Sequence, residues 1–167
     1  MKIDIIERTR KFSVNKACVK RITSRLYDYF KIPATYEISF YFTGAGHIQT
    51  LNSEFRGKDA PTDVLSFPMN EEGELARVGN ISSNVPMPLG DIVVCPGYVL
   101  ENNVGGDWEK LSYEVFYLIV HGFMHLIGYD HKDGRYKGSK VESDTSKLLM
   151  TVDFEKEYQS LIKRRLF

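Results

Sequence analysis

The chain of 167 residues has the size of one domain and is long enough to bury a core, and its 43% hydrophobic and 26% charged residues are the balance of an ordinary globular protein. We expect a single domain over residues 1–167. No run approaches the roughly 18 apolar residues of a membrane span, and MKIDIIERTRKF lacks the apolar core of a secretory signal, so the expected location is the cytoplasm, with no membrane partner. A formal net charge of zero argues against a uniformly basic nucleic-acid binder, yet residues 1–35 carry nine Lys/Arg against three Asp/Glu, net +6, which leaves −6 for the remainder. A basic face and a merely solvated amphipathic helix both fit that asymmetry. Cys18 and Cys95, the only cysteines, lie far apart and outside any C-x-x-C pair, as buried thiols would.

In chain order, KIDIIE alternates as a first strand. Ser13 is a candidate N-cap for a helix through about Phe30, with Cys18, Ile22 and Leu26 on one stripe and Pro33 beyond its end. TYEISFYFT puts Tyr36, Ile38, Phe40 and Phe42 on one face of a second strand, and HIQTLNSEFR is a short helix. DVLSFP and LGDIVVC are compact apolar runs that suggest buried strands. Between them, MNEEGELARVGNISSNVPMP has no sustained period and is expected to be a long loop. A helix is expected from about Trp108 to Ile127 and a last one from about Lys140 to Leu166. The class is α+β, a single mixed sheet of about four strands packed with helices, one of which carries a zincin-like histidine motif.

That motif, HGFMHLIGYDH, holds three of the four histidines at the spacing His-x3-His-x5-His. His121 and His125 are one helical turn apart and can converge on one cation; Gly128 allows the chain to reverse and return His131 as a third ligand. Three imidazoles and an open position are the donor set of catalytic zinc, so one Zn2+ per chain is the expected cofactor. In zinc peptidases of this spacing the residue after the first His is the Glu that activates water, whereas here it is Gly122. Glu114, two turns before His121, either orients a ligand or water or is a surface acid, and Asp130 either orients a ligand or belongs to a turn. His47 stands alone in a polar helix start and is expected to be exposed.

Taken together, HGFMHLIGYDH, TDVLSFP, LGDIVVC and LNSEFR, in this order, resemble the YbeY family of bacterial metal-dependent endoribonucleases. The likeness is carried by residues 48–131. It implies zinc ligands at His121, His125 and His131, a functionally important Arg56, and cleavage of single-stranded RNA in 16S rRNA 3′-end maturation and ribosome quality control, with the small ribosomal subunit as partner. The chain departs from the family pattern after His131. There the family runs through an acidic stretch to a Met and a Glu, and KDGRYKGSKVESDTSKLL instead places Val141 and Thr145 near those positions.

Phosphodiester cleavage needs less from an adjacent carboxylate than peptide hydrolysis, because no poor amine leaving group has to be protonated. It does need a cation against charge developing on phosphorus, and the fork of Arg56 suits phosphate oxygens, although an ion pair with Glu54 or Asp59 would also occupy it. Asp63 and Ser66 either line the cleft or serve as a turn cap and a core hydroxyl; Phe55, Phe67 and Tyr129 either stack bases or belong to the core. Two rivals remain at this point, a zinc peptidase and a non-catalytic ribosome-assembly factor stabilised by zinc.

Overall fold

The computed structural model describes residues 1–70, 85–129, 140–151 and 158–165, in the third stretch with side chains at 143–149. Alternating residues build β1 (Lys2–Glu7) and β3 (Tyr36–Phe42), and a longer, largely apolar run builds β5 (Met87–Val94). These three pair in parallel, and β4 (Val64–Pro68) adds to β5 antiparallel, so that the four-stranded sheet has the order β1-β3-β5-β4.

On one face lie α1 (Lys16–Phe30) and α3 (Trp108–Leu126). Tyr36, Ile38, Phe40 and Phe42 of β3 and Leu89, Ile92 and Val94 of β5 meet Ile22, Leu26, Val115, Ile119 and Phe123 of these helices in the main core. On the other face α2 (Ala45–Arg56) buries Ile48 against Leu65, Val93 and Cys95. The alternation of β5 therefore serves two cores, and a one-residue slip would exchange them. Burial pushes the Cys95 thiol above its ordinary pKa, so it is an inert core group, as is buried Cys18.

Both ends of the described chain differ from the sequence expectation. Ser13 lies within β2 (Phe12–Val14), which pairs antiparallel with β6 (Ile162–Arg164), and the N-cap of α1 is Asn15, which accepts from the Cys18 amide at 3.1 Å. The last helix, α4 (Lys140–Thr151), stops well short of Leu166, because β6 completes the small second sheet. Ser112 of α3 anchors that strand by donating to the Ile162 carbonyl at 3.2 Å and accepting from its amide at 3.1 Å. DVLSFP is a half-exposed edge strand and not a doubly buried one. Within the described part of MNEEGELARVGNISSNVPMP, Met87 and Pro88 already belong to β5; positions 71–84 lie outside the described residues. Among the described residues no helix is long and apolar enough to cross a membrane.

Where β5 enters the sheet, Gly90 has φ +145° and a Cβ there would sit 2.4 Å from the Phe67 carbonyl oxygen and 2.8 Å from Leu126 Cδ2. That close approach lets β4, β5 and the end of α3 meet. Gly90→Ala should destabilise the fold by roughly 2–5 kcal/mol, the sum of a backbone strain and an overpacking cost, and urea titration of the two proteins measures it.

Candidate metal centre

The N-terminus of α3 is capped by Asp107, which accepts from the amides of Glu109 at 2.9 Å and Lys110 at 3.2 Å. The Asp107 carboxyl is held below its ordinary pKa first by the Lys110 side chain and then by the Lys110 amide, with a weaker contribution from the Glu109 amide, and partly offset by desolvation. From that start the helix runs along the sheet and presents Gly122 to it: a Cβ on Gly122 would lie 3.0 Å from Ser66 Oγ and 3.1 Å from Ile92 Cγ2. Successive residues turn by about 100°, so His121 and His125 stand about 100° and 60° to one side of Gly122, and Phe123 about 100° to the other. Phe123 packs on Tyr27 and Phe30 of α1, with centroids 5.7 and 5.9 Å apart. The histidines therefore turn away from α1, towards the flank where β4 forms the edge of the sheet.

On that flank the Nε2 atoms of His121 and His125 are 3.1 Å apart, with ring planes at 84°. Two nitrogens bound at 2.0–2.1 Å to a tetrahedral zinc ion would be separated by about 3.3 Å, so the pair already converges as a shared cation requires. His121 is buried and Tyr117, one turn earlier, stacks on it at 6.0 Å and 11°. The helix ends as expected: Gly128 has φ +95°, its amide donates to the His125 carbonyl at 3.1 Å, and the Tyr129 amide donates to the Met124 carbonyl at 3.0 Å. His131 and Asp130, which follow, lie outside the described residues.

Farther up the same flank, Asn103 Nδ2 donates to Asp63 Oδ2 at 3.0 Å and reaches Glu114 Oε1 at 3.4 Å. Asp63 also accepts from Thr62 Oγ1 at 3.1 Å and from the Val64 amide at 2.8 Å. It thus starts β4 and faces the helix at once. Asn103 ends a π-helical turn, Val99–Asn103, an irregularity that swings its amide into this position. Sequence reasoning missed both Asn103 and Tyr117. The i, i+4 spacing of Tyr117 and His121 was a usable signal, whereas the reach of Asn103 across forty residues left none.

The other candidates divide. Ser66 meets Gly122. Arg56 is exposed at the C-terminal end of α2, on the opposite face of the sheet, where it also complements the helix dipole. Among the described residues no ion pair joins it to Glu54 or Asp59, and Asp59 accepts from Gln49 Nε2 at 2.9 Å. Phe55 and Phe67 stack edge to face at 5.1 Å, while Tyr129 leans on Phe30 at 6.3 Å. His47 is exposed and lies 5.5 Å from the Tyr41 ring. In α4, Thr145 is buried and its hydroxyl donates to Met124 Sδ at 3.0 Å; the side chain of Val141 lies outside the described residues.

The family model described as endoribonuclease YbeY matches residues 3–153. The endoribonuclease YbeY of Halalkalibacterium halodurans is 38% identical over 135 residues, which cover 78% of this chain and 83% of that protein. That of Bacillus subtilis is 35% identical over 132 residues, covering 77% and 82%. The solution structure of TM1509 from Thermotoga maritima is similar at a TM-score of 0.50 and 28% sequence identity, over 87% of this chain and 85% of that one.

The contact of Gly122 with Ser66 and Ile92 sets a test of local packing. Gly122→Ala should lower stability by up to about 2 kcal/mol, the crowding cost less the roughly 1 kcal/mol that Ala gains over Gly inside a helix, and Gly122→Glu should cost more, because its carboxylate has to be either buried or extruded by lifting the helix. Thermal melts of the three proteins check the order.

Proposed function

This chain belongs to the endoribonuclease YbeY family, and we propose that it is a single-domain, zinc-dependent endoribonuclease of single-stranded RNA, active in the cytoplasm in 16S rRNA 3′-end maturation and ribosome quality control. The small ribosomal subunit is its partner in this reading. The observation that carries it is the convergence of two imidazole nitrogens at 3.1 Å on one flank of α3. His121 and His125, with His131 as third ligand, would hold one zinc ion. When bound, zinc lowers the pKa of water from about 15.7 to about 7 and polarises a phosphoryl oxygen.

The chain's own residues do the remaining work. Tyr117 fixes the plane of the His121 ring, and burial of that ring keeps it from turning to solvent. Glu114, two turns before His121 on the same flank, is assigned to orienting a ligand or the attacking oxygen, whether that oxygen belongs to water or to the RNA 2′-hydroxyl. Asn103 holds it in register with Asp63. Arg56, the arginine that the family resemblance singles out, is assigned as the cation that meets charge developing on the phosphate, which from the α2 side of the sheet it has to reach around the edge strand β4. A peptidase reading loses its support at Gly122, where the general base of such enzymes is absent and where a Cβ would crowd Ser66 Oγ at 3.0 Å and Ile92 Cγ2 at 3.1 Å.

His125→Ala should abolish the one zinc per chain and lower the melting temperature, since ligation contributes folding free energy. Elemental analysis checks this, and unchanged zinc content would sink the ligand assignment. Arg56→Lys should keep zinc and fold but slow single-turnover cleavage of a labelled single-stranded oligonucleotide by roughly a hundredfold, because an ammonium cannot make the two-pronged contact. Equal rates would return Arg56 to its role at the helix end, and zinc-dependent casein hydrolysis would restore the peptidase.

A further inference from the structure

On the side of the sheet away from the histidines, α2 covers the surface only in part. Beside it a trough of about 420 Å³ crosses all four strands. His47, Leu51 and Phe55, each one turn apart on α2, form its wall, and Tyr41, Asp91 and Phe67 from three adjacent strands lie in its floor. Its margins are left open to solvent: Phe55 is 61% exposed, Met69 52% and Ile6 44%. An apolar surface of this kind normally has a partner.

We infer that the trough binds a single-stranded RNA segment flanking the cleavage site and prefers guanine at the position facing Asp91. The inference rests on the endoribonuclease reading for its class of ligand, but its placement rests on three features of the trough. Aromatic rings standing on a sheet are stacking platforms for unpaired bases, and Tyr41 and Phe67 stand on β3 and β4. The Arg8 guanidinium lies 5.9 Å from the Tyr41 centroid at one end of α2, and Arg56 follows Phe55 at the other. Both arginines are without ion-pair partners among the described residues, so the rim offers cations to the RNA backbone.

Asp91 gives the specificity. It pairs in register with Ser39 on the floor, half-buried, and its carboxylate takes no hydrogen bond or ion pair among the described residues. A carboxylate repels phosphate but accepts from base edges. Guanine alone presents two adjacent donors, N1–H and N2–H, that match its two oxygens. Uracil sets one donor between two carbonyls. Phe67 also ties the trough to the metal centre. It and Ser66 are neighbours on the edge strand and point to opposite faces, Ser66 to Gly122 and Phe67 to Phe55. A strand of RNA leaving the trough over β4 arrives at the flank that carries His121 and His125.

The test is fluorescence anisotropy of the zinc-loaded full chain with 2′-O-methyl heptanucleotides that differ only in a central guanine or inosine, which lacks the N2 amino group. The wild type should bind the guanine oligonucleotide at least about fivefold more tightly, and Asp91→Asn should erase that difference. Phe55→Ala, a surface change that the fold tolerates, and Tyr41→Ala should each weaken both oligonucleotides about tenfold. Equal affinity of the wild type for guanine and inosine, or unchanged binding in both aromatic variants, overturns the inference. His125→Ala separates it from the metal assignment: oligonucleotide binding retained while cleavage is lost supports a site of its own, and binding lost together with zinc overturns it.

Discussion

The approach of α3 to the sheet at Gly122 is the constraint on which the rest of this structure depends. With a hydrogen in place of a side chain, the helix backbone comes within van der Waals reach of Ser66 and Ile92, one on the edge strand and one on its neighbour. That seating fixes the rotation of the helix about its own axis. Phe123 is driven into the aromatic contacts with Tyr27 and Phe30, and His121 and His125 are left on the flank beside β4. Were the helix rolled by even one residue, about 100°, the histidines would enter the core or face bulk solvent. The missing carboxylate after His121 goes with this seating, because a side chain there would crowd Ser66 and Ile92.

Gly90 performs the matching task one strand away. Its positive φ and the absence of a Cβ admit the Phe67 carbonyl and the tip of Leu126. The lower end of α3, where His125 sits, is thus clamped on a position that side chains would obstruct. Both glycines trade local conformational cost for proximity of backbones. The return is a seat that holds the imidazole nitrogens of His121 and His125 3.1 Å apart.

Much of this was legible in the sequence, for identifiable reasons. The strand of Tyr36–Phe42 and the helix of Trp108–Leu126 are long and strongly periodic, and the burial of alternate residues in the first follows directly from that period. The His121 and His125 convergence follows from helix geometry alone, and the stop at Gly128 from turn chemistry. Contacts between distant parts of the chain were not legible. Ser13 has the right chemistry for a helix cap, and Asn15 takes that position because β6, nearly 150 residues later, pairs with Ser13 and its neighbours. The same strand shortens the final helix, anchored by Ser112, whose hydroxyl in a buried helix position carries no sign of its partner. Asp63 read equally well as a turn cap and as a cleft residue; its carboxylate accepts from the Val64 amide, as a cap does, and also from Asn103, a partner the sequence did not announce.

The uneven charge of the chain acquires a spatial meaning in this fold. Of the nine cations in residues 1–35, Lys2 is engaged by Asp4 at 3.1 Å and Glu37 at 3.2 Å, and these contacts raise its pKa. Arg8 stands at the trough, and Lys16, Lys20 and Arg21 are exposed along α1 on the opposite side of the sheet. These cations are thus spread over both faces, an arrangement suited to drawing a polyanion to the molecule without fixing its register. Register has to come from groups that phosphate cannot satisfy, and the page of the sheet that holds Tyr41, Phe67 and Asp91 has that character. A net charge of zero is then no argument against an RNA ligand: the acidic half of the balance includes Asp63, Asp91 and Glu114, carboxylates that face a cleft or a flank where hydrogens have to be accepted.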